Sequence, residues 1–305
     1  MGATKRRRPV VAGLLAFITP GLGLLYVGKP WVALLVTVAP YLLVLLARLS
    51  GFLLLPLGML VCSTLLIGAW FVSIIWCALI ARGQGETTLA PYQRWYGLLG
   101  CYVVFGALSL LIPFGDWLGV HVYRIPSSSM RDTLQLGDYI VVDRWAYMAG
   151  SKPRRGDIVV VSYPARPSAK YARRIVGLPH EQLELRGGRL YVNGFDSDEP
   201  YLDRSLYLQT AMSEPQRYIV PEGSYFVLAD NRDDGEDSRI VGAIPIGNIL
   251  GRVSSICFSL DPATGLSFRR TRSLPAADSG KLARAARPTG ISAARRPIST
   301  SATAV

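Results

Sequence analysis

The hydrophobic pattern of the chain changes twice. From residue 10 to 118 apolar positions run almost without interruption, from 121 to 260 they alternate with polar ones, and from 263 no periodicity survives among arginine, alanine, serine and proline. Apolar runs near the roughly 20 residues that a bilayer requires predict spanning helices at 31–49, 52–81 and 96–118. Pro40 and Pro56 fall inside these runs and are tolerable within a bundle. The preceding PGLGLLYVGK is short and glycine-rich, which predicts a re-entrant or interfacial segment. The first residues resemble a cleaved leader, but they lack a small-residue cleavage site and more apolar runs follow, so the segment reads as retained.

Alternation at 138–142, 157–161, 172–176, 183–185, 189–192, 225–228 and 249–258 predicts strands, several rich in valine and isoleucine. Gly187-Gly188 between two of them is a hairpin signal. Residues 196–216 break the alternation and read as a loop or small insertion carrying little chemistry. The expected organisation is an N-terminal α-helical transmembrane anchor over 1–120, a mostly β domain over 121–262, and a disordered basic tail over 263–305.

Charge refines this picture. The formal net charge is +12, and much of it sits at Lys5 to Arg8 and between Arg269 and Arg296. Basic flanks of apolar runs place Lys5 to Arg8 and the 82–94 loop in the cytoplasm, and residues after 120 on the outer side. Three crossings and one re-entrant segment satisfy both constraints, with Arg48 left in an outer loop. The basic tail suits anionic membrane lipid. Charge alone would also allow a membrane scaffold with a nucleic-acid-binding tail, but no recognition motif accompanies it. Of four cysteines only Cys257 lies in the β domain, so that domain has no internal disulfide, and no metal-ligand spacing occurs.

The chemistry centres on RIPSSSMRDTLQLGD at 124–138, where a proline-fixed turn presents Ser127, Ser128 and Ser129. A serine on a rigid turn is a candidate nucleophile, although serines after proline are also ordinary loop residues. Three further stretches follow in order: GDIVVVSYP at 156–164, YARRIVGLP at 171–179 and ADNRDDGEDSR at 229–239. Together the four resemble the bacterial type I signal peptidases, membrane-bound serine proteases with a Ser-Lys dyad.

The resemblance implies a signal peptidase catalytic domain on the outer face of the bacterial inner membrane. It implies an endopeptidase that removes signal peptides from exported preproteins after small residues, without metal or cofactor, with membrane lipid and the export machinery as neighbours. It maps the nucleophile onto Ser129, which precedes Met130, and the oxyanion donors onto the Ser127 hydroxyl and the Ser129 amide. Substrate would dock as an added strand against Ile125, Pro126 and Met130. Asp230, Asn231, Arg232, Asp233, Asp237 and Arg239 would hold the base-bearing strand against the nucleophile.

The chain departs from the family where the base belongs. The lysine position is occupied by Arg173, and arginine stays protonated and cannot act as a general base. Gly235 stands where the family has a serine that bonds the lysine, Ala229 where it has glycine, and Asp132 where it has proline, beside the nucleophile and in reach of pairing with Arg173. Lys170, three residues before Arg173, points to the opposite strand face. His121 and His180 are residues that a serine protease can recruit, but neither has the family's position. A second reading is therefore a catalytically impaired homologue that binds signal peptides or assists an active peptidase.

Overall fold

Four helices of the anchor begin at proline: α1 (Pro9–Ile18), α2 (Pro20–Tyr26), α3 (Pro30–Leu49) and α4 (Pro56–Gly83). Proline is suited to the first helical turn because its missing N–H would have no intrahelical acceptor there. Pro56 therefore starts a helix, in contrast to the internal place expected for it, whereas Pro40 does lie inside α3. The computed structural model describes residues 4–111, 114–131, 133–148, 150–202, 214–233, 235–261 and 265–274.

Two of these helices, α3 and α4, are long and apolar enough to cross a membrane. The helix that follows, α5 (Trp95–Leu111), spans about 26 Å at 1.5 Å per residue. The expected 96–118 run is divided between α5 and a short α6 (Phe114–Leu118). α1 and α2 form a hairpin that enters and returns beside α4. Phe17, at the far end of α1, accepts from the Trp70 indole on its carbonyl, while the carbonyls of Tyr26 and Val27 accept from Gln93 and Gln84. Both ends of the hairpin thus sit at the Gly83 end of α4. Gly23 lets it close, since a Cβ there would lie 2.6 Å from that of Ala16.

The seven predicted strands are all present, together with others that the alternation did not reveal. β1 (Thr4–Arg6) pairs with β2 (Glu86–Thr88). The β domain holds β3 (Val120–Arg124), β4 (Asp138–Asp143), β5 (Ile158–Tyr163), β6 (Arg166–Gly177), β7 (Gln182–Arg186), β8 (Arg189–Val192), β9 (Phe195–Asp196), β10 (Gln216–Ile219), β11 (Ser224–Leu228), β12 (Ile244–Pro245) and β13 (Ile249–Asp261). Its large sheet runs β12-β11-β6-β5-β13-β4-β3, and a smaller one runs β10-β7-β8-β9. The β7–β8 hairpin turns at Gly187-Gly188 with φ of 57° and 71°, which suits a two-residue turn.

Period-two patterning divides β5 between two cores. Ile158 and Val160 pack with Ile125, Met130, Leu134 and Ile140, whereas Val159, Val161 and Tyr163 pack with Ile175 and Val227. The anchor is tied to the sheet by Arg48, buried at 5% exposure rather than lying free in a loop. Its guanidinium pairs with Asp143, donates to the Leu118 carbonyl at 2.7 Å and lies over the Trp145 ring.

The tail expected to be disordered from 263 is partly built into the sheet. β14 (Gly265–Ser267) and β15 (Arg272–Ser273) pair with β13, and Leu274 packs against the first core. Arg270 reaches the fully buried Asp138, which also accepts from Ser259. A carboxylate so placed needs a cation, and this requirement orders a segment without periodicity. The rest of the expected tail, 275–305, lies outside the described residues. A chain ending after Leu266 is therefore expected to be less stable than one ending after Leu274, by about 2 kcal/mol for the lost charge-assisted bonds. Thermal unfolding of the two in one detergent checks this, and equal melting temperatures would remove the docking role assigned to Arg270.

Candidate active site

The serine turn is closed by its own backbone. Ile125 donates to the Asp138 carbonyl at 2.8 Å, Gly137 donates back to Ile125 at 2.9 Å, and the Asp138 carboxylate accepts from the Gln135 N–H. Within this loop the Met130 carbonyl accepts from Thr133 and Leu134, and Met130 itself is 1% exposed. The buried methionine side chain anchors the turn, leaving Ser127 exposed and Ser129 half-buried. Of the residues expected to line the substrate wall, Pro126 is open to solvent, while Ile125 and Met130 are buried in the first core.

β6 brings the second partner. Its register opposite β11, with Arg174 across from Leu228, sets residues 229–239 beside Arg173 and Arg174. As neighbours on an extended strand, the two arginines project to opposite faces. Arg173, 3% exposed, donates from Nη1 to Ser129 Oγ at 3.0 Å, and its Nε and Nη2 both donate to the Glu236 carbonyl, at 3.0 and 2.7 Å. Tyr163 donates to the same carbonyl at 2.6 Å. Burial pushes the Tyr163 phenol up to about 12, against the pull of Arg173, so it stays a neutral donor. Ser127 Oγ lies 3.2 Å from Ser129 Oγ.

Arg174 faces the supporting network. It donates to Asp230 from Nε at 2.8 Å and Nη2 at 2.7 Å, stacks on Tyr201, and shares Asp230 with the Thr133 hydroxyl. Burial alone would lower the Arg174 pKa, yet the hydrogen bond and charge of Asp230 hold it above the ordinary arginine value. Asp230 donates its N–H to Met130 Sδ, and Asn231 donates from its N–H to the Ser129 carbonyl at 2.9 Å and from its side-chain amide to the Ser128 carbonyl at 3.3 Å. Asp237 caps α7 (Ser238–Val241), accepts from the Ala229 N–H and is gripped by Arg239. The acidic and basic residues of 229–239 thus fasten the serine turn to β6. Asp233 lines a small cleft with Arg232, Gly235 and Arg239.

Sequence reasoning missed three parts of this site. The segment read as a loop of little chemistry supplies Glu199, which pairs with buried Arg232, and Tyr201, and its last residue, Gln216, opens β10. The Glu236 carbonyl, which no side-chain motif can signal, is what orients Arg173. The departures at 229 and 235 prove to be one exchange of volume: a Cβ built on Gly235 would lie 2.4 Å from the Ala229 Cβ. The Ala229 methyl fills the space that a side chain at 235 would need, so a serine at 235 has no room to orient a base while Ala229 is present.

The alternative bases lie elsewhere. Lys170 is exposed and its amine reaches the Pro167 carbonyl, at 3.5 Å. His121 contacts Asp116 and Arg144. His180 is exposed in a turn with φ of 69°. Asp132 lies outside the described residues.

The site thus brings the Ser129 hydroxyl, on a closed turn, within reach of a buried guanidinium and of a second hydroxyl. Comparison with known proteins places the chain in a family. The family model for "Signal peptidase, peptidase S26" matches residues 99–258. Signal peptidase I of Pseudomonas aeruginosa is 30% identical over 200 residues, covering 51% of this chain and 70% of that protein. Signal peptidase IB of Staphylococcus aureus is 34% identical over 161 residues, covering 48% of this chain and 82% of that one. A crystal structure of a signal peptidase I from Enterococcus faecalis aligns with TM-score 0.31 at 33% identity, over 33% of this chain and 97% of that chain. The chain belongs to the signal peptidase family, peptidase S26, and is a membrane-associated serine endopeptidase of the signal peptidase I type.

Proposed function

We propose that this chain cleaves signal peptides from exported preproteins on the outer face of the bacterial inner membrane, with Ser129 as nucleophile and Arg173 filling the place of the base. The 3.0 Å contact between Arg173 Nη1 and Ser129 Oγ carries the reading. In the acylation step the Ser129 Oγ bonds to the scissile carbonyl carbon, the C–N bond breaks and the leaving amine takes a proton. Ser127 Oγ and the Ser129 N–H supply hydrogen bonds to the oxyanion. Arg173 stabilises negative charge on Oγ but has no lone pair with which to accept its proton. That proton leaves through Ser127 or water to the solvent, and the rate suffers accordingly.

The anchor supports the orientation. α3, α4 and α5 cross the bilayer, the α1–α2 hairpin dips in from the cytoplasmic side, and Arg48 at the outer end of α3 reaches the β domain. Right-side-out vesicles carrying the wild type should process an added preprotein slowly, and those carrying Ser129→Ala should not process it at all. Equal traces would overturn the assignment of Ser129 as nucleophile. Cleavage only by inverted vesicles would reverse the topology.

A further inference from the structure

The N-terminal arginines close the end of the anchor that lies away from the β domain. β1 sets Arg6 opposite Glu86 and Thr4 opposite Thr88, which pins the run Arg6, Arg7, Arg8 near the base of the α1–α2 hairpin. Between this run, the hairpin and the start of α5 lies a cavity of about 1040 Å³. Val11, Leu15, Leu22 and Leu98 give it an apolar wall, and Arg6, Arg7, Arg8 and Arg94 line it as well. Among the described residues that line it there is no carboxylate.

Arg7 gives the cavity its meaning. It is 4% exposed, its guanidinium lies over the Tyr26 ring at 4.3 Å, and its Nε and Nη2 are buried without a hydrogen-bond partner. A buried guanidinium with two unused donors is costly, and so are several cations around one space, unless an anion supplies acceptors and charge together. A small inorganic anion would satisfy the arginines but leave the apolar wall uncovered.

We propose that this cavity binds one anionic phospholipid of the surrounding membrane. Its phosphate oxygens accept from Arg7 and from the arginines at the mouth, and an acyl chain lies along Val11, Leu15, Leu22 and Leu98. Guanidinium and phosphate match as a fork of charge-assisted hydrogen bonds, and basic pockets between helices are a recurrent way of holding such headgroups. The lipid would fasten β1 and the hairpin to α5.

The test uses the full chain purified in detergent, exchanged into phosphatidylcholine containing a minor share of phosphatidylglycerol and examined by native mass spectrometry. The expected result is one retained phosphatidylglycerol in preference to phosphatidylcholine. Retention should fall about tenfold in Arg7→Gln, the factor that loss of one charge-assisted bond gives. Arg94→Gln, at an exposed position that does not endanger folding, should lower it by less, and Arg82→Gln, outside the cavity, should leave it unchanged. Equal retention of the two lipids, or indifference to both Arg7→Gln and Arg94→Gln, would overturn the proposal. So would displacement of the lipid by inorganic phosphate, which would mark a simple anion site.

Discussion

Replacing Arg173 by lysine together with Ala229→Gly and Gly235→Ser is expected to raise preprotein cleavage by about 10²- to 10⁴-fold, the range that a positioned general base contributes. Each change has a separate physical reason. A lysine side chain is shorter by about one bond and can shed its proton when buried, so it can take the Ser129 proton where a guanidinium cannot. The new amine loses the pair of hydrogen bonds that Arg173 donates to the Glu236 carbonyl and needs another partner. A serine at 235 provides one only after the Ala229 methyl, 2.4 Å from where its Cβ must go, is removed. Arg173→Lys alone should therefore gain little, and Arg173→Lys with Gly235→Ser should gain no more than the single change. A triple variant no faster than wild type, with its fold intact by circular dichroism, would mean that position 173 does not limit the reaction.

Asp230→Ala is expected to destabilise the β domain by about 3–5 kcal/mol, the cost of leaving a buried cation without its counter-charge. Asp230 is fully buried and accepts from Arg174 and from Thr133, and its own N–H reaches Met130 on the serine turn. Loss of this residue therefore loosens the nucleophile as well as the sheet. Combining Asp230→Ala with Arg174→Met should recover much of the loss, because no unpaired charge then remains. Chemical denaturation of the wild type and the two variants measures this, and an effect of Asp230→Ala below about 1 kcal/mol would place the pair among surface-like salt bridges.

Legibility in the sequence followed periodicity and failed where contacts span the chain. Every strand with apolar alternation was readable, and so was the helical break at Pro20-Gly21, whose proline and small residues are local signals. β3 and β10 were not, because the half-buried His121 and the exposed Arg217 dilute the alternation. Arg48 read as an exception to a charge rule, although its partner Asp143 lies 95 residues away and turns it into a tie between anchor and sheet. Arg270 read as tail charge, although it serves a buried aspartate 132 residues earlier. At the site, the arginine in place of lysine was visible at once as a departure. That Ala229 and Gly235 compensate for each other was not, since only the turn between them brings the two into contact.

The measurement that bears most directly on the account is the pH dependence of kcat/KM for wild-type cleavage of one preprotein between about pH 6 and pH 10. With no titrating base beside Ser129 among the described residues, its proton passes through Ser127 or water to solvent hydroxide. The logarithm of the rate should then rise with a slope of about one and without levelling, and the Arg173→Lys, Ala229→Gly, Gly235→Ser variant should level off at the pKa of the new amine. A wild-type profile that reaches a plateau, and loses it when Lys170, His121 or His180 is replaced, would contradict the central role given to the Ser129–Arg173 pair.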